Sequence, residues 1–450
     1  SGRLSNPRSR RIAEELLDLL TDVAWGRAGA DHLGAIASLA DELSYDKASA
    51  GAMAAAKAVW DALGEHREVF QSHIDTHNCA TGDCVRLVPA PCQMTCPAGI
   101  DIPTYVNLIG RGHDAEAIEV IRQDNPFPWV CGLVCTRPCE LMCVRGRVDK
   151  PVSIKFLKAF AAERALSDRR YQNPAKEPDK GKRVAVIGAG PGGMTAAYYL
   201  ALKGYGVSVF EALPVAGGMM MLGIPRYRLP REVIDREVAM LEELGVAFRF
   251  NTRYGKDATL AGLKAEGFDA IFLAIGAHHS FKLNIPGEAA FPQVVEAVEL
   301  LRRVALGDRR IPGKHAVVVG GGNVAIDAAR TCLRLGSEEV TIVYRRTRAE
   351  MPADIEEVEQ AEEEGIHMSF LTIPKAVVGK DGRLTGLECI RATLVKKDDG
   401  ERLFPVPVEG SDFLIEADAV ISAIGQRIDL ECLSDLKGLT WTRRQTIQAN

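Results

Sequence analysis

Eight of the eleven cysteines fall between residues 79 and 143: Cys79, Cys84, Cys92, Cys96, Cys131, Cys135, Cys139 and Cys143. Thiols this dense pair with one another, hold zinc, or hold iron and sulfide. Disulfides need an oxidising compartment, and no signal peptide is visible. Structural zinc normally shows paired CxxC or Cys/His knuckles, and none is present. Iron–sulfur ligation fits best, because a cubane takes about four thiolates and two would take about eight. Cys131 to Cys143 recur at every fourth residue, and Pro97 and Pro138 lie beside cysteines. Prolines there suit loops that turn backbone N–H groups towards sulfide.

Two glycine turns carry a second chemistry. In the first, Val184–Ile187 reads as a buried strand, followed by Gly188, Gly190 and Gly193 and a helix over Met194–Lys203. Missing side chains at such a turn let the backbone approach a pyrophosphate at a helix amino end. A second strand, Val207–Phe210, ends in Glu211, where an acid can bind ribose hydroxyls. The bland alternative is a close-packed glycine turn without ligand. The second turn repeats the pattern with the strand Val317–Val319, then Gly320, Gly322 and Ala325. Its following strand, Val340–Tyr344, ends in Arg345 and Arg346, with Arg348 just after. Arginines there suit a 2′-phosphate, as in NADP(H), where an acid would suit NAD. A solvated basic turn is the alternative. Cys332, on the helix after this turn, reads as core.

The elements that must position these groups fit a chain of 450 residues, enough for about three domains. Hydrophobic content of 47% and charged content of 26% are those of an ordinary globular protein. A net charge of −5 argues against a nucleic-acid surface. No run of about 18 apolar residues exists, so no membrane insertion is expected. Reduced cysteines point to the cytoplasm. Residues 8–75 repeat apolar positions at three- and four-residue spacing and predict helices, broken at Gly29 and at residues 44–47. The stretch from Ala50 to Phe70 reads as a single helix. His73 and His77 read as structural or solvated rather than as ligands. A helix is expected to end at Asn125–Pro126, another over SIKFLKAFAAERAL, and a polar, proline-containing boundary near residue 180.

The segments APCQMTCPAGIDIP, NPFPWVCGLVCTRPCE and GIPRYRLP resemble the glutamate synthase small-subunit family. They equally resemble the amino-terminal part of dihydropyrimidine dehydrogenase and the large subunit of NADH-dependent ferredoxin:NADP oxidoreductase. The resemblance implies two [4Fe–4S] clusters in a small helical domain. One would use Cys79, Cys84, Cys92 and Cys143, and the other Cys96, Cys135 and Cys139. Two departures stand out. Cys79 and Cys84 are separated by ATGD rather than two residues, and Lys158 occupies the position of the second cluster's Glu or Gln ligand. Cys131 could substitute there, or be an ordinary buried thiol.

The resemblance also implies FAD at the first glycine turn, with Gly217–Gly218 and residues 223–230 as the flavin segment. FDAIFLAIGA (268–277) then reads as a returning strand and IPGE (285–288) as a crossover. ADAVISAIGQRID (417–429) reads as the return from an inserted NADP domain. The implied fold class is α/β, with two Rossmann-like domains preceded by a helical iron–sulfur domain and a helical bundle. The expected divisions are a bundle at 1–78 and an iron–sulfur domain at 79–178. FAD-binding parts follow at 179–289 and 426–450, around an NAD(P) domain at 290–425. The bundle itself resembles the carboxy-terminal bundle of the NADH-binding subunit of respiratory complex I, most closely in EVFQSHI (68–74). That bundle opens with CGxCxPCR. Here SGRLSNPR puts Ser1, Leu4 and Pro7 at the cysteine positions, so a docking or spacer module without a cluster is expected. Family members also continue with a segment carrying a Gly–Asp pair that closes on the flavin. A sequence ending at Asn450 is expected to be a fragment or to hold flavin weakly.

The function so implied is electron input: NADPH to FAD to clusters to a catalytic or electron-accepting partner subunit, in a hetero-oligomer. No triad or general base is expected, because the cofactors carry the chemistry. The alternative is a degenerate scaffold subunit of a formate dehydrogenase, hydrogenase or bifurcating complex. Lys158, the absent bundle cysteines and the absent closing segment motivate it. A flavin-dependent disulfide reductase would need a CxxC pair near the flavin, and the nucleotide segments hold none.

Overall fold

The computed structural model describes residues 6–24, 26–46, 49–76, 90–167, 171–396, 403–436, 438, 440–442 and 446–448. Cys79, Cys84 and His77 lie outside the described residues. The chain forms two compact units, Ser1–Ala90 and Pro91–Asn450.

Among the described residues, the first unit contains four helices: α1 (Pro7–Ala24), α2 (His32–Ser44), α3 (Ala50–Glu65) and α4 (Arg67–Thr76). Their apolar stripes meet in a core that includes Ile12, Leu16, Leu33, Ile36 and Leu63. Ser49 caps α3 by accepting from the Ala52 N–H at 3.2 Å. The stretch expected as one helix from Ala50 to Phe70 is two, because His66 leaves the helical region at φ −128, ψ 24. His73 is buried and its Nδ1 bonds the Val69 carbonyl at 2.6 Å, a local structural contact.

The second unit opens with six helices: α5 (Pro91–Thr95), α6 (Ile102–Gly110), α7 (Asp114–Arg122), α8 (Pro128–Val134), α9 (Pro138–Leu141) and α10 (Ile154–Ser167). Tyr105, Ile118, Ile121, Ala161 and Leu166 are its fully buried centre. Helices α8 and α10 approach so closely that a Cβ on Gly132 would lie 2.6 Å from the Ala159 Cα.

Two parallel sheets follow. The first has strands β1 (Arg183–Ile187), β2 (Gly206–Phe210), β3 (Ala247–Arg249) and β4 (Ala270–Leu273) in the order β3-β2-β1-β4. Between them run α11 (Pro191–Leu202), α12 (Met219–Leu222), α13 (Arg231–Glu243) and α14 (Leu260–Ala265). Strand β1 buries its last four residues, as a strand covered on both faces must. A short strand, β5 (His279–Ser280), leaves this sheet, and β6 (Val294–Glu296) enters the next. After α15 (Ala297–Ala305) come β7 (His315–Val319), α16 (Asn323–Leu335), β8 (Glu339–Val343), α17 (Ile355–Glu363) and β9 (His367–Ser369).

Three long antiparallel strands are added: β10 (Thr372–Lys380), β11 (Arg383–Lys396) and β12 (Leu403–Glu416). Then β13 (Ala419–Ser422) completes a second parallel sheet in the order β6-β13-β7-β8-β9. The last strand, β14 (Gln426–Arg427), pairs antiparallel with β5, matching Gln426 to Ser280 and Arg427 to His279. The architecture is therefore α/β, with two Rossmann-like sheets joined through that two-stranded link.

Candidate functional site

The first glycine turn sits between β1 and α11. Gly188 takes φ +106, and a Cβ there would lie 2.3 Å from the Ala274 carbonyl oxygen. A Cβ on Gly193 would lie 2.0 Å from the Gly188 oxygen. These two glycines are required by packing. Gly190 is different: its nearest neighbour would be the Gly218 Cα at 3.9 Å. The helix starts at Pro191, three residues earlier than the sequence pattern suggests. Proline at the first turn has no N–H to lose, and its φ is already helical.

A cavity of about 510 Å³ opens at this turn and is lined by Gly188, Gly190, Glu211, Gly218 and Met219. Gly218 takes φ +51, and a Cβ would lie 2.7 Å from the Gly190 Cα. Glu211 is buried. Its carboxylate accepts from the Ala189 N–H at 2.8 Å and the Leu213 N–H at 2.9 Å. Burial pushes this carboxyl up, and those N–H donors oppose the shift. With the Ala212 N–H also favouring its charge, the carboxylate keeps acceptor capacity for a ligand hydroxyl.

These glycines make a specific expectation. Gly190→Ala should fold, with a melting temperature within about 2 °C of wild type, because its Cβ meets only ordinary contact. It should weaken a dinucleotide held at this turn about tenfold by pushing the backbone from its pyrophosphate. Fluorescence of the nucleotide released on dilution measures this.

The second turn, between β7 and α16, opens on a cavity of about 750 Å³. Gly320 takes φ +150, and a Cβ would lie 2.4 Å from the Ala423 oxygen. Gly322 faces open space at the α16 amino end, and Ala325 is fully buried beneath it. Arg345 and Arg346, just beyond β8, line the cavity. Arg348 is committed elsewhere, to Glu362 and Glu359. Arg346 is not: its Nε is buried without a hydrogen-bond partner. The nearby Glu350 carboxylate is occupied by the Thr347 N–H and hydroxyl. A buried guanidinium donor left open at the strand end fits a phosphate oxygen. Cys332 is fully buried.

The two cavities meet at the β5/β14 link. His279 lines the first, while Ser280, Gly425 and Gln426 line the second. Gln426 ties the link together by donating to the Ala277 carbonyl at 3.1 Å.

Of the eight clustered cysteines, six are described. Cys92, Cys96, Cys135 and Cys139 lie close enough to Tyr105 for their charges to oppose its ionisation, after burial itself. Burial, then Cys135, Glu140 and Cys96, push the Cys139 thiol up to about 11, with Lys158 opposing. Backbone donors reach two sulfurs: the Arg137 N–H to Cys135 Sγ at 3.3 Å and the Val152 N–H to Cys143 Sγ at 3.5 Å. Arg137 takes the left-handed φ of 49 and pairs with Glu140 and with Glu356 of α17. Among the described residues, no three His, Cys, Asp or Glu side chains meet at metal-holding distance. Lys158 is buried, and its charge favours the Cys131 and Cys139 thiolates. Cys131 donates to Asn125 Oδ1 at 3.7 Å.

Sequence reasoning missed three polar side chains that join these parts. Arg228, in the segment after α12, holds Asp327 of α16 at 2.7 Å and also pairs with Glu357 of α17. Arg137 reaches α17, and Glu237 of α13 reaches α8. Their partners are 99 or more residues away, so no local pattern could reveal them.

Comparison with known proteins supplies the family. A pyridine nucleotide-disulphide oxidoreductase family model matches residues 182–450. A second model, dihydropyrimidine dehydrogenase domain II with a 4Fe-4S cluster, matches residues 65–170. The NADPH-Fe(3+) oxidoreductase subunit beta of Geobacter sulfurreducens is 41% identical over 440 residues, covering 96% of this chain and 65% of that one. The NADP(+)-dependent formate dehydrogenase subunit beta of Moorella thermoacetica is 43% identical, covering 77% of this chain and 52% of that one. The glutamate synthase [NADPH] small chain of Azospirillum brasilense is 35% identical, covering 74% and 72%. The chain thus spans less than two thirds of the length of the first two relatives. FprA from Mycobacterium tuberculosis shares the fold at a TM-score of 0.51 and 21% identity, over 59% of this chain and 74% of that one. With its two glycine turns on two parallel sheets, the chain belongs to the pyridine nucleotide-disulphide oxidoreductase family.

Proposed function

We propose that this chain is the electron-input part of a multisubunit oxidoreductase, taking electrons from NADPH. The observation that carries the reading is the meeting of two glycine-turn cavities across the β5/β14 link. Gly188, Gly190, Gly193, Glu211 and Gly218 would hold FAD, with the α11 amino end on its pyrophosphate. Gly320, Gly322 and Ala325 would seat NADP(H), and Arg345 and Arg346 would read its 2′-phosphate. Bound flavin would take a hydride and give single electrons, and iron–sulfur clusters would relay them.

The thiols would hold two [4Fe–4S] clusters: Cys79, Cys84, Cys92 and Cys143 for one, Cys96, Cys135 and Cys139 for the other. The donor set suits them, because backbone N–H groups already point at Cys135 and Cys143. Lys158 lies where a fourth ligand would, and as a cation it would stabilise nearby thiolate charge instead. The relatives' names suggest a partner subunit that reduces Fe(3+), handles formate or makes glutamate. No described helix is long and apolar enough to cross a membrane. The reduced-thiol reading places the protein in the cytoplasm.

A scaffold role with degenerate sites is the competing reading, and the buried Lys158 is what favours it. Anaerobic titration with NADPH separates the two. Bleaching of both flavin and broad iron–sulfur absorbance is expected, and a colourless or unresponsive protein would sink the electron-input reading. Within that reading, Cys92→Ser should remove about half the iron and leave flavin bound, by iron assay and absorbance. Full iron in that variant would reject the ligand grouping.

A further inference from the structure

A third cavity, of about 570 Å³, is separate from both glycine turns. Its walls come from the segment after α12, the carboxy-terminal part of α15 and the carboxy-terminal end of α16. Leu222, Ile224, Leu301, Val304 and Leu335 form an apolar wall. The charged side chains on the lining are all arginines: Arg226, Arg231, Arg309 and Arg334. Two are neutralised, Arg226 by Glu232 and Arg334 by Glu364.

Arg231 and Arg309 are the other pair. The Arg231 guanidinium donates to the Met220 carbonyl at 3.1 Å and the Ile224 carbonyl at 3.0 Å. Burial, and then the charge of Arg226, hold it below the usual arginine range. Arg309 is exposed at the rim, and the adjacent Asp308 is already shared by Arg303 and Arg310.

A further polar group lines the same space. Thr331 is 4% exposed, and its Oγ1 is buried without a hydrogen-bond partner. A threonine within a helix ordinarily bonds a carbonyl one turn back. A hydroxyl buried without that bond is unfavourable unless a ligand atom completes it. An apolar wall, two guanidinium groups without a carboxylate ion pair and an open hydroxyl define a recognisable chemistry.

We propose that this cavity binds a small amphiphilic anion, an oxyanion head on an apolar or aromatic body. The head meets Arg231 and Arg309, the body lies on Leu301, Val304 and Leu335, and Thr331 completes a hydrogen bond. The helices that wall this site also reach the two nucleotide cavities through other residues. Met219 of α12 and Arg302 of α15 line the first cavity, and Asn323 at the start of α16 lines the second.

The test uses the cofactor-loaded full chain, saturated with NADP+, and the fluorescent sulfonate 8-anilinonaphthalene-1-sulfonate, followed by calorimetry. One saturable site per chain is expected. Arg309→Glu should weaken it about tenfold or more, and Thr331→Val about threefold or more. Neither side chain makes a structural hydrogen bond that its replacement would remove, so both variants should keep the wild-type melting temperature. Binding without saturation, unchanged affinity in both variants, or equal displacement by inorganic phosphate would each overturn the proposal. The readout is binding, so it stands apart from whether NADPH is the electron donor.

Discussion

Replacing Arg345 and Arg346 together by alanine should raise the KM for NADPH about a hundredfold and change that for NADH by less than about threefold. The pair stands at the end of β8 on the cavity wall, and the Arg346 Nε is already buried without a partner. Each charge-assisted hydrogen bond to a phosphate contributes about 1.5–3 kcal/mol, and two of them cover about two decades of affinity. NADH lacks the 2′-phosphate, so it has nothing to lose there. Initial rates with ferricyanide as acceptor measure both nucleotides. Arg348→Ala is the internal control. It breaks pairs with Glu362 and Glu359 on an exposed face and should change neither KM appreciably. Parallel losses for NADPH and NADH in the double variant would mean that these arginines support the turn rather than read the phosphate.

Legibility in the sequence followed the range of the interactions concerned. Both glycine turns could be read, because strand, turn and helix are contiguous and the first glycine of each answers a close approach. Gly188 faces Ala274, and Gly320 faces Ala423. The three-stranded sheet β10–β12 passed unread, although Asp381 and Gly382, at φ +51 and φ +74, form the tight turn that such a pair favours. That signal was local and available. The break at His66 had a weaker one in Gly64, two residues before it, but a lone glycine lowers helix stability without fixing where a helix breaks. The ionic struts were out of reach for a different reason. Arg228 and Asp327 are separated by 99 positions, and only the folded sheets bring them together. At the cysteines, type and spacing pointed to the chemistry. The burial of Lys158 among the thiols is a packing fact that spacing cannot carry.

Glu237 combines these two ranges and should show the largest pH effect on stability. It is 2% exposed on α13 and reaches the first turn of α8, accepting from the Trp129 N–H at 2.7 Å and the Val130 N–H at 3.4 Å. Helix α8 carries Cys131 and is capped by Cys135, so one carboxyl group ties the helix packed on the first parallel sheet to the cysteine segment. Burial pushes this carboxyl from 4.5 up to about 8, against the Trp129 N–H, Arg122, the Val130 N–H and Lys158, all of which favour charge.

Between those two values the folded protein holds a proton that the unfolded chain has released. The stability this group contributes is therefore present below the unfolded value and lost as pH rises through the folded one, by roughly 1.4 kcal/mol per pH unit. Thermal melts of the wild type should thus fall from pH 6 to pH 8. Glu237→Gln keeps an acceptor for the Trp129 N–H and cannot ionise, so its curve should be flatter and its melting temperature higher than wild type at pH 8. Glu237→Leu leaves both N–H groups without an acceptor and should cost about 2–4 kcal/mol at pH 6, a cost that shrinks as pH rises because leucine, like glutamine, cannot ionise. If the Gln variant keeps the wild-type slope, Glu237 is ionised in the folded protein. Its counter-ion would then be Arg122, whose Nε and Nη2 are buried without partners and whose guanidinium lies over the Tyr171 and Tyr198 rings. In that case Arg122→Met should be tolerated only together with Glu237→Gln, because either change alone would bury an uncompensated charge.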